Sequence, residues 1–142
     1  GHISEGFTQA CTREVFKERQ FYFYQLFRRA VGYTDGGKRS MEIDVLAVGK
    51  TVNEENVIVA IEAKTMIKVE DINDLEDKLN NFFDFFPQYK DYKLAGAVAT
   101  VSYDDSILKY GERKGFYILI PNEETFRILN SNEFKPRMWK SN

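Results

Sequence analysis

Two stretches of this 142-residue sequence collect residue types that can do chemistry: Glu42-Ile43-Asp44-Val45-Leu46 and, after a polar segment, Val59-Ala60-Ile61-Glu62-Ala63-Lys64. Both are rich in β-branched and apolar residues, and 49–56 between them carries turn residues, so the pair reads as a β-hairpin. Side chains alternate along a strand. Ile58, Ala60, Glu62 and Lys64 therefore share one face of the second strand, and Glu42, Asp44, Leu46 and Val48 share one face of the first. A hairpin symmetric about Asn53 sets Asp44 opposite Glu62, with their Cβ atoms roughly 5 Å apart.

Two carboxylates that close, flanked by Leu46, Val48, Ile58 and Ala60, repel each other and lose solvation, which raises one pKa unless something compensates. Lys64 is one compensation. A divalent cation is the other, because hard cations prefer carboxylate oxygens; Mg²⁺, with Mn²⁺ as its substitute, is commonly held by one or two carboxylates together with substrate phosphate. Such an ion acidifies a bound water and polarises a phosphoryl oxygen. Lys64 is placed to orient or help deprotonate that water. This is the equipment of phosphodiester hydrolysis. The competing reading is a cross-strand salt bridge on an exposed sheet face, against which the apolar neighbours argue.

These two segments resemble the bipartite motif of the PD-(D/E)XK nuclease superfamily, the restriction-endonuclease-like enzymes. The resemblance implies that Asp44 and Glu62 bind metal, that the Ala63 carbonyl joins them, and that Lys64 serves the water. An acidic residue on the first helix is common in the superfamily, and Glu14 matches that position. Some members also carry a phosphate-contacting Lys or Gln on the helix after the motif, where Lys78 stands; a solvated helix lysine is the favoured reading there. The stretch Phe86-Pro87-Gln88-Tyr89-Lys90-Asp91-Tyr92 and the small-residue strand after it look like a prokaryotic subgroup of the superfamily. The resemblance covers most of 4–130. It departs from the motif at Ile43, which stands where the name-giving proline would be.

The elements that must position these residues follow from pattern. Residues 4–20 read as a helix with Phe7, Cys11, Glu14 and Glu18 on one face. The aromatic stretch 21–28 reads as a buried strand, with a continued helix as the alternative. Asp35-Gly36-Gly37 marks a loop. A helix is expected over 71–86, with Asp71 as its N-cap and Pro87 as its stop. Its stripe of Ile72, Leu75, Leu79, Phe82, Phe83 and Phe86 should pack on the sheet with Leu94, Ala97 and Val101. The run 94–101 lacks polar alternation, which predicts a strand buried on both faces. A second helix spans 104–114 with Gly115 beyond its end, then a strand at 116–120 and a short one at 125–129. The expectation is one α/β domain over 1–142, a restriction-endonuclease-like mixed sheet flanked by helices in the order α-β-β-β-α-β-α-β, with 136–142 as a polar tail.

Composition narrows the function classes. The chain is 43% hydrophobic, enough for a core, and its net charge of −2 argues mildly against a dedicated nucleic-acid binder. Carboxylates gathered at a metal would lower that charge without touching a binding face. His2 is the only histidine, which removes His-based acid–base chemistry and His-ligated zinc, and Cys11 alone cannot form an intrachain disulfide. No apolar run is long enough to span a membrane, and no secretory signal is visible, so the expected location is cytoplasmic. Arg28, Arg29, Lys38 and Arg39 read either as a nucleic-acid path beside the hairpin or as a solvated loop. Two functions remain: a Mg²⁺-dependent nuclease acting on DNA, or a catalytically inactive nuclease-fold module that works by protein or nucleic-acid binding. The chain is short for a stand-alone nuclease, which points to a homodimer or to further domains of a longer chain.

Overall fold

The computed structural model describes residues 9–123 and 125–142. Helix α1 (Gln9–Lys17) leads into the long strand β1 (Phe21–Thr34), a 3-10 turn at Asp35–Gly37, and the hairpin β2 (Arg39–Thr51) and β3 (Asn56–Met66). Helix α2 (Val69–Asn80), the one-turn helix α3 (Phe82–Phe85) and a 3-10 turn at Pro87–Tyr89 lead to β4 (Lys93–Ser102). Helix α4 (Asp105–Arg113), β5 (Tyr117–Asn122) and β6 (Thr125–Ile128) complete the order. The six strands lie in sequence order in one sheet. Pairing is antiparallel from β1 to β3, parallel from β3 through β4 to β5, and antiparallel to β6. This is the expected α/β order and mixed sheet, with the stretch at 71–86 divided into two helices. Among the described residues, no helix is long and apolar enough to cross a membrane.

The sheet has a core on each side. On the first face Leu46, Val48, Ile58, Ala60, Leu94 and Val98 pack against Ile72, Leu75, Leu79 and Phe82 of α2 and α3. On the second, Val45, Ala47, Val59, Ile61, Ala95 and Ala97 pack against Val15 and Phe16 of α1. Burial on both sides explains the continuous small-residue run of β4. A Cβ on Gly96 would come within 2.7 Å of Leu79 and 2.8 Å of Phe116, so α2 reaches its close seat over the site strands only because that position has no side chain.

The structure corrects several expectations. The stripe at 71–86 breaks at Asn81; Asp71 sits in the first turn and accepts the Lys68 N–H at 2.9 Å, so it caps from inside the helix. Phe83 is half-buried, and Val101 is 50% exposed because it lies beyond Ala99, the last residue of β4 that β5 covers. The aromatic strand extends to Thr34 and splits by face: Phe21 and Phe23 are buried, while Tyr22, Tyr24 and Phe27 are exposed, as an edge strand permits. Cys11 is half-buried and makes a 2.9 Å hydrogen bond with the Thr125 hydroxyl. Phe7, and the helix start expected at Ser4, lie outside the described residues.

The last residues are not a free polar tail. Trp139 is buried, exchanges both backbone hydrogen bonds with Leu94, stacks on Phe116 at 5.8 Å and donates its indole N–H to Asn80. It occupies the side of β4 that β5 leaves unpaired, since the β4–β5 pairing starts only at Ala97. Trp139→Ala should therefore cost about 3 kcal/mol of stability, and removal of 136–142 at least as much. Urea melts of the two variants check this; an unchanged midpoint in both would mean that the tail is dispensable.

Candidate active site

The pairs Val45↔Ile61 and Leu46↔Ala60 fix the β2–β3 register. Continued by one residue, that register sets Asp44 across from Glu62, as the symmetric hairpin requires. The ladder itself stops at Val45. Beyond it the Ala63 N–H donates to the Asp44 carboxylate at 2.9 Å, so a side chain takes the place of a backbone acceptor. The expected simple alternation fails at this point. Met41 and Ile43 lie in the same core cluster as Leu46 and Val48, whereas Val45 belongs to the other. The strand therefore switches face around Asp44, and Glu42 is exposed rather than aligned with the pair. On the neighbouring strand, Arg28 pairs with Val45 and Ala30 with Ile43, so Arg29 lies beside Asp44; its φ of 53° is left-handed. A non-glycine residue in that region costs about 1 kcal/mol or more, and it lets β1 follow the switch in β2.

The Glu62 side chain is 12% exposed and in hydrogen-bonding contact with the Asp44 carboxyl. Burial, first, and then the hydrogen bond with Asp44 push its pKa from 4.5 up to about 7. Lys78 opposes the rise: its ammonium donates to Glu62 Oε1 at 2.7 Å and to the Glu42 carbonyl at 2.6 Å. Lys64 shares the Glu62 cleft but does not touch the pair. Its side chain is 53% exposed, with its ammonium 3.8 Å from Asp71. Glu62, Lys64 and Lys78, with Asp71, Asp74, Leu75 and Asp77 of α2, line a cleft of about 310 Å³.

The structure thus gathers Asp44, Glu62 and the Ala63 backbone, sets Lys64 at the cleft and leaves Glu14 out. Glu14 is an exposed residue of α1, the helix on the second face, and pairs with Lys17 at 3.0 Å. Among the described residues no three Asp, Glu, His or Cys side chains come together as a metal-binding group. The residue that sequence reasoning undervalued is Lys78. Its signal was its spacing: it lies three residues after Leu75 and one before Leu79, at the border of the apolar stripe facing the sheet.

The donor set suits a hard cation. Two carboxylates in contact offer oxygens of the right kind and number for an ion that keeps several waters. The cleft presents four carboxylates against two lysines, so a phosphate would be repelled unless further positive charge were supplied.

No family model matches the chain, and no curated protein matches it. Among solved structures it is similar to a repair endonuclease from Pyrococcus abyssi, with 12% identity and a TM-score of 0.41 over 78% of this chain and 45% of that one. It is similar to EndoMS in its apo form, with 14% identity and a TM-score of 0.43 over 82% and 48%, and to the EndoMS-dsDNA2 complex, with 15% and 0.41 over 82% and 46%. The chain spans about half the length of these proteins. A likeness this distant assigns neither family nor activity.

The contacts of Glu62 set its pH behaviour. Its midpoint, followed by carboxyl NMR in metal-free protein, should lie near 7. Lys78→Met should raise it further by removing the favourable charge, and Asp44→Asn should lower it. Because the folded-state pKa is raised, the proton on Glu62 stabilises the fold fully below 4.5, and that contribution is lost as pH rises through about 7. At about 1.4 kcal/mol per unit the loss is on the order of 3 kcal/mol. Glu62→Gln should therefore raise the metal-free melting temperature at pH 8 and leave it nearly unchanged at pH 4; equal effects at both would refute the assignment.

Proposed function

We propose that this domain is a metal-dependent nuclease that hydrolyses phosphodiester bonds in DNA. The observation that carries this reading is the contact of the Asp44 carboxyl with Glu62, which lines a cleft together with Lys64, two residues along the same strand. Asp44, Glu62 and the Ala63 carbonyl would hold Mg²⁺ or Mn²⁺, which when bound supplies an acidified water and charge for the phosphoryl oxygens.

The protein's own residues do the rest. The Ala63 N–H fixes the Asp44 carboxylate against the end of the ladder. Lys78 holds one Glu62 oxygen while itself anchored on the Glu42 carbonyl, leaving the other oxygen for a cation. Lys64 is tethered loosely to Asp71 on a four-carbon stem. It can swing to a phosphate or to the attacking water without moving the backbone. The apolar packing of Leu75 beneath the cleft keeps bulk water from one side of the pair.

A second reading has a specific observation in its favour. Lys64 leans on Asp71 rather than on the carboxylate pair, and Glu14 stands apart, as in a nuclease-fold module that binds without cutting. Cleavage assays separate the two. The purified protein should cut DNA with Mg²⁺ or Mn²⁺ and not with EDTA. Lys64→Ala should lower cleavage about a hundredfold or more while retaining metal binding by calorimetry, because ligation belongs to the carboxylates. Asp44→Ala should lose both. Unimpaired cleavage by Lys64→Ala would expose a contaminating nuclease, and absence of both cleavage and metal binding would favour the binding module.

A further inference from the structure

Strand β1 is the outermost strand of the sheet, and among the described residues no strand pairs with its outer edge. It is 14 residues long and contains neither lysine nor proline, two of the usual means of blunting an edge. Five of its apolar side chains are exposed: Tyr22, Tyr24, Phe27, Val31 and Tyr33. Apart from the Phe23 carbonyl, which already accepts from Arg13 Nε at 3.1 Å, an edge of this kind presents a row of backbone donors and acceptors, so its fitting occupant is another strand.

The strand's own pattern identifies that strand. Phe21, Phe23 and Leu26 face the second core, and Arg28 is opposite Val45 on the same side. Tyr24 reaches Tyr92 on the first side, Phe27 is opposite Leu46, and Ala30 and Gly32 pack on the same first-face cluster. Tyr22, between Phe21 and Phe23, faces the first side; Val31 and Tyr33, flanking Gly32, face the second. Reflected about Phe27, this order of faces maps onto itself. The bulge between Phe23 and Gln25 falls opposite the irregularity at Arg29.

We propose that two copies of this chain pair antiparallel through β1, with the two-fold axis at Phe27, to form a continuous twelve-stranded sheet. In that register large residues meet small ones on the first face, Tyr22 against Gly32 and Tyr24 against Ala30. Aromatic and β-branched residues meet on the second, Phe21 against Tyr33 and Phe23 against Val31. Such cross-strand pairs stabilise a sheet. No like charges oppose each other, because Arg28 meets Leu26 and Arg29 meets Gln25. A shift of the axis by one residue toward the C-terminus would put Arg28 on itself, and a shift by one residue either way would break the match of faces. The pairing is independent of whether the cleft is catalytic.

Sedimentation equilibrium should give twice the mass of one chain in the micromolar range. Phe27→Lys places two ammonium groups against each other on the axis and should raise the dissociation constant about tenfold or more with an unchanged circular dichroism spectrum. With Cys11 replaced by Ser, Phe27→Cys should cross-link to itself on mild oxidation, since directly opposed Cβ atoms lie near disulfide range. Val31→Cys, opposite Phe23, should not. A chain that stays monomeric overturns the proposal, as does a dimer that Phe27→Lys leaves intact or that Val31→Cys cross-links as readily. Protection of the β1 amides by an oligonucleotide in a monomeric chain would assign the edge to nucleic acid and overturn it equally.

Discussion

The bond from the Ala63 N–H to the Asp44 carboxylate is the contact on which the rest of the site depends. A buried backbone donor at the end of a ladder needs an acceptor. Here a side chain fills the role, so β2 and β3 can part while β3 keeps its pairing with β4. The switch of face in β2 and the left-handed Arg29 on β1 occur at the same level of the sheet. An ordinary hairpin would have kept its ladder and buried nothing charged. This one ends in two carboxyl groups at the border between core and cleft.

The arrangement is electrostatically unfavourable, and its position in the fold explains how it persists. Two carboxyls in contact at a half-buried site cannot both ionise freely, and one of them holds its proton up to about pH 7. Lys78 relieves part of the strain but is divided between Glu62 and a carbonyl. The compensation comes from cores on both faces of the central strands, where Ile58, Ile61, Leu75 and Leu79 are essentially sealed from solvent. Fully burying such a side chain contributes about 1.5–3 kcal/mol. Several of them outweigh one frustrated carboxylate. The two-sided core thus lets the hairpin carry a charge arrangement that a one-sided sheet would relax.

Trp139 and α2 show how distant segments support the same region. The tail residue closes the open flank of β4 and donates to Asn80 at the end of α2. Arg137 and Lys114 both pair with Glu76 on the same helix. Exposed pairs of this kind contribute little each, but they converge on the helix that delivers Lys78. The seat of α2 over the sheet is further set by Gly96, which lets it approach β4 closely.

The hairpin, its register, the central small-residue strand and the amphipathic stretch after the motif were all legible in the sequence. Each is a local pattern: a period of two, a period near 3.6, or a loop with turn chemistry. Asp44, Glu62 and Lys64 could be singled out for the same reason. What the sequence left undetermined depends on contacts between residues far apart in the chain. The break in alternation at Asp44 arises only where a side chain replaces a backbone acceptor on the next strand. Lys78 became part of the site because α2 folds back across β3, and Glu14 fell outside it because α1 packs on the opposite face. The sequence left open whether Trp139 docks on the domain or on a partner, because nothing local marks the unpaired flank of β4 that it fills. Periodicity determined which face each residue would prefer; the tertiary packing decided which faces met, because that depends on where strands end and which buried donors and flanks are left to be satisfied.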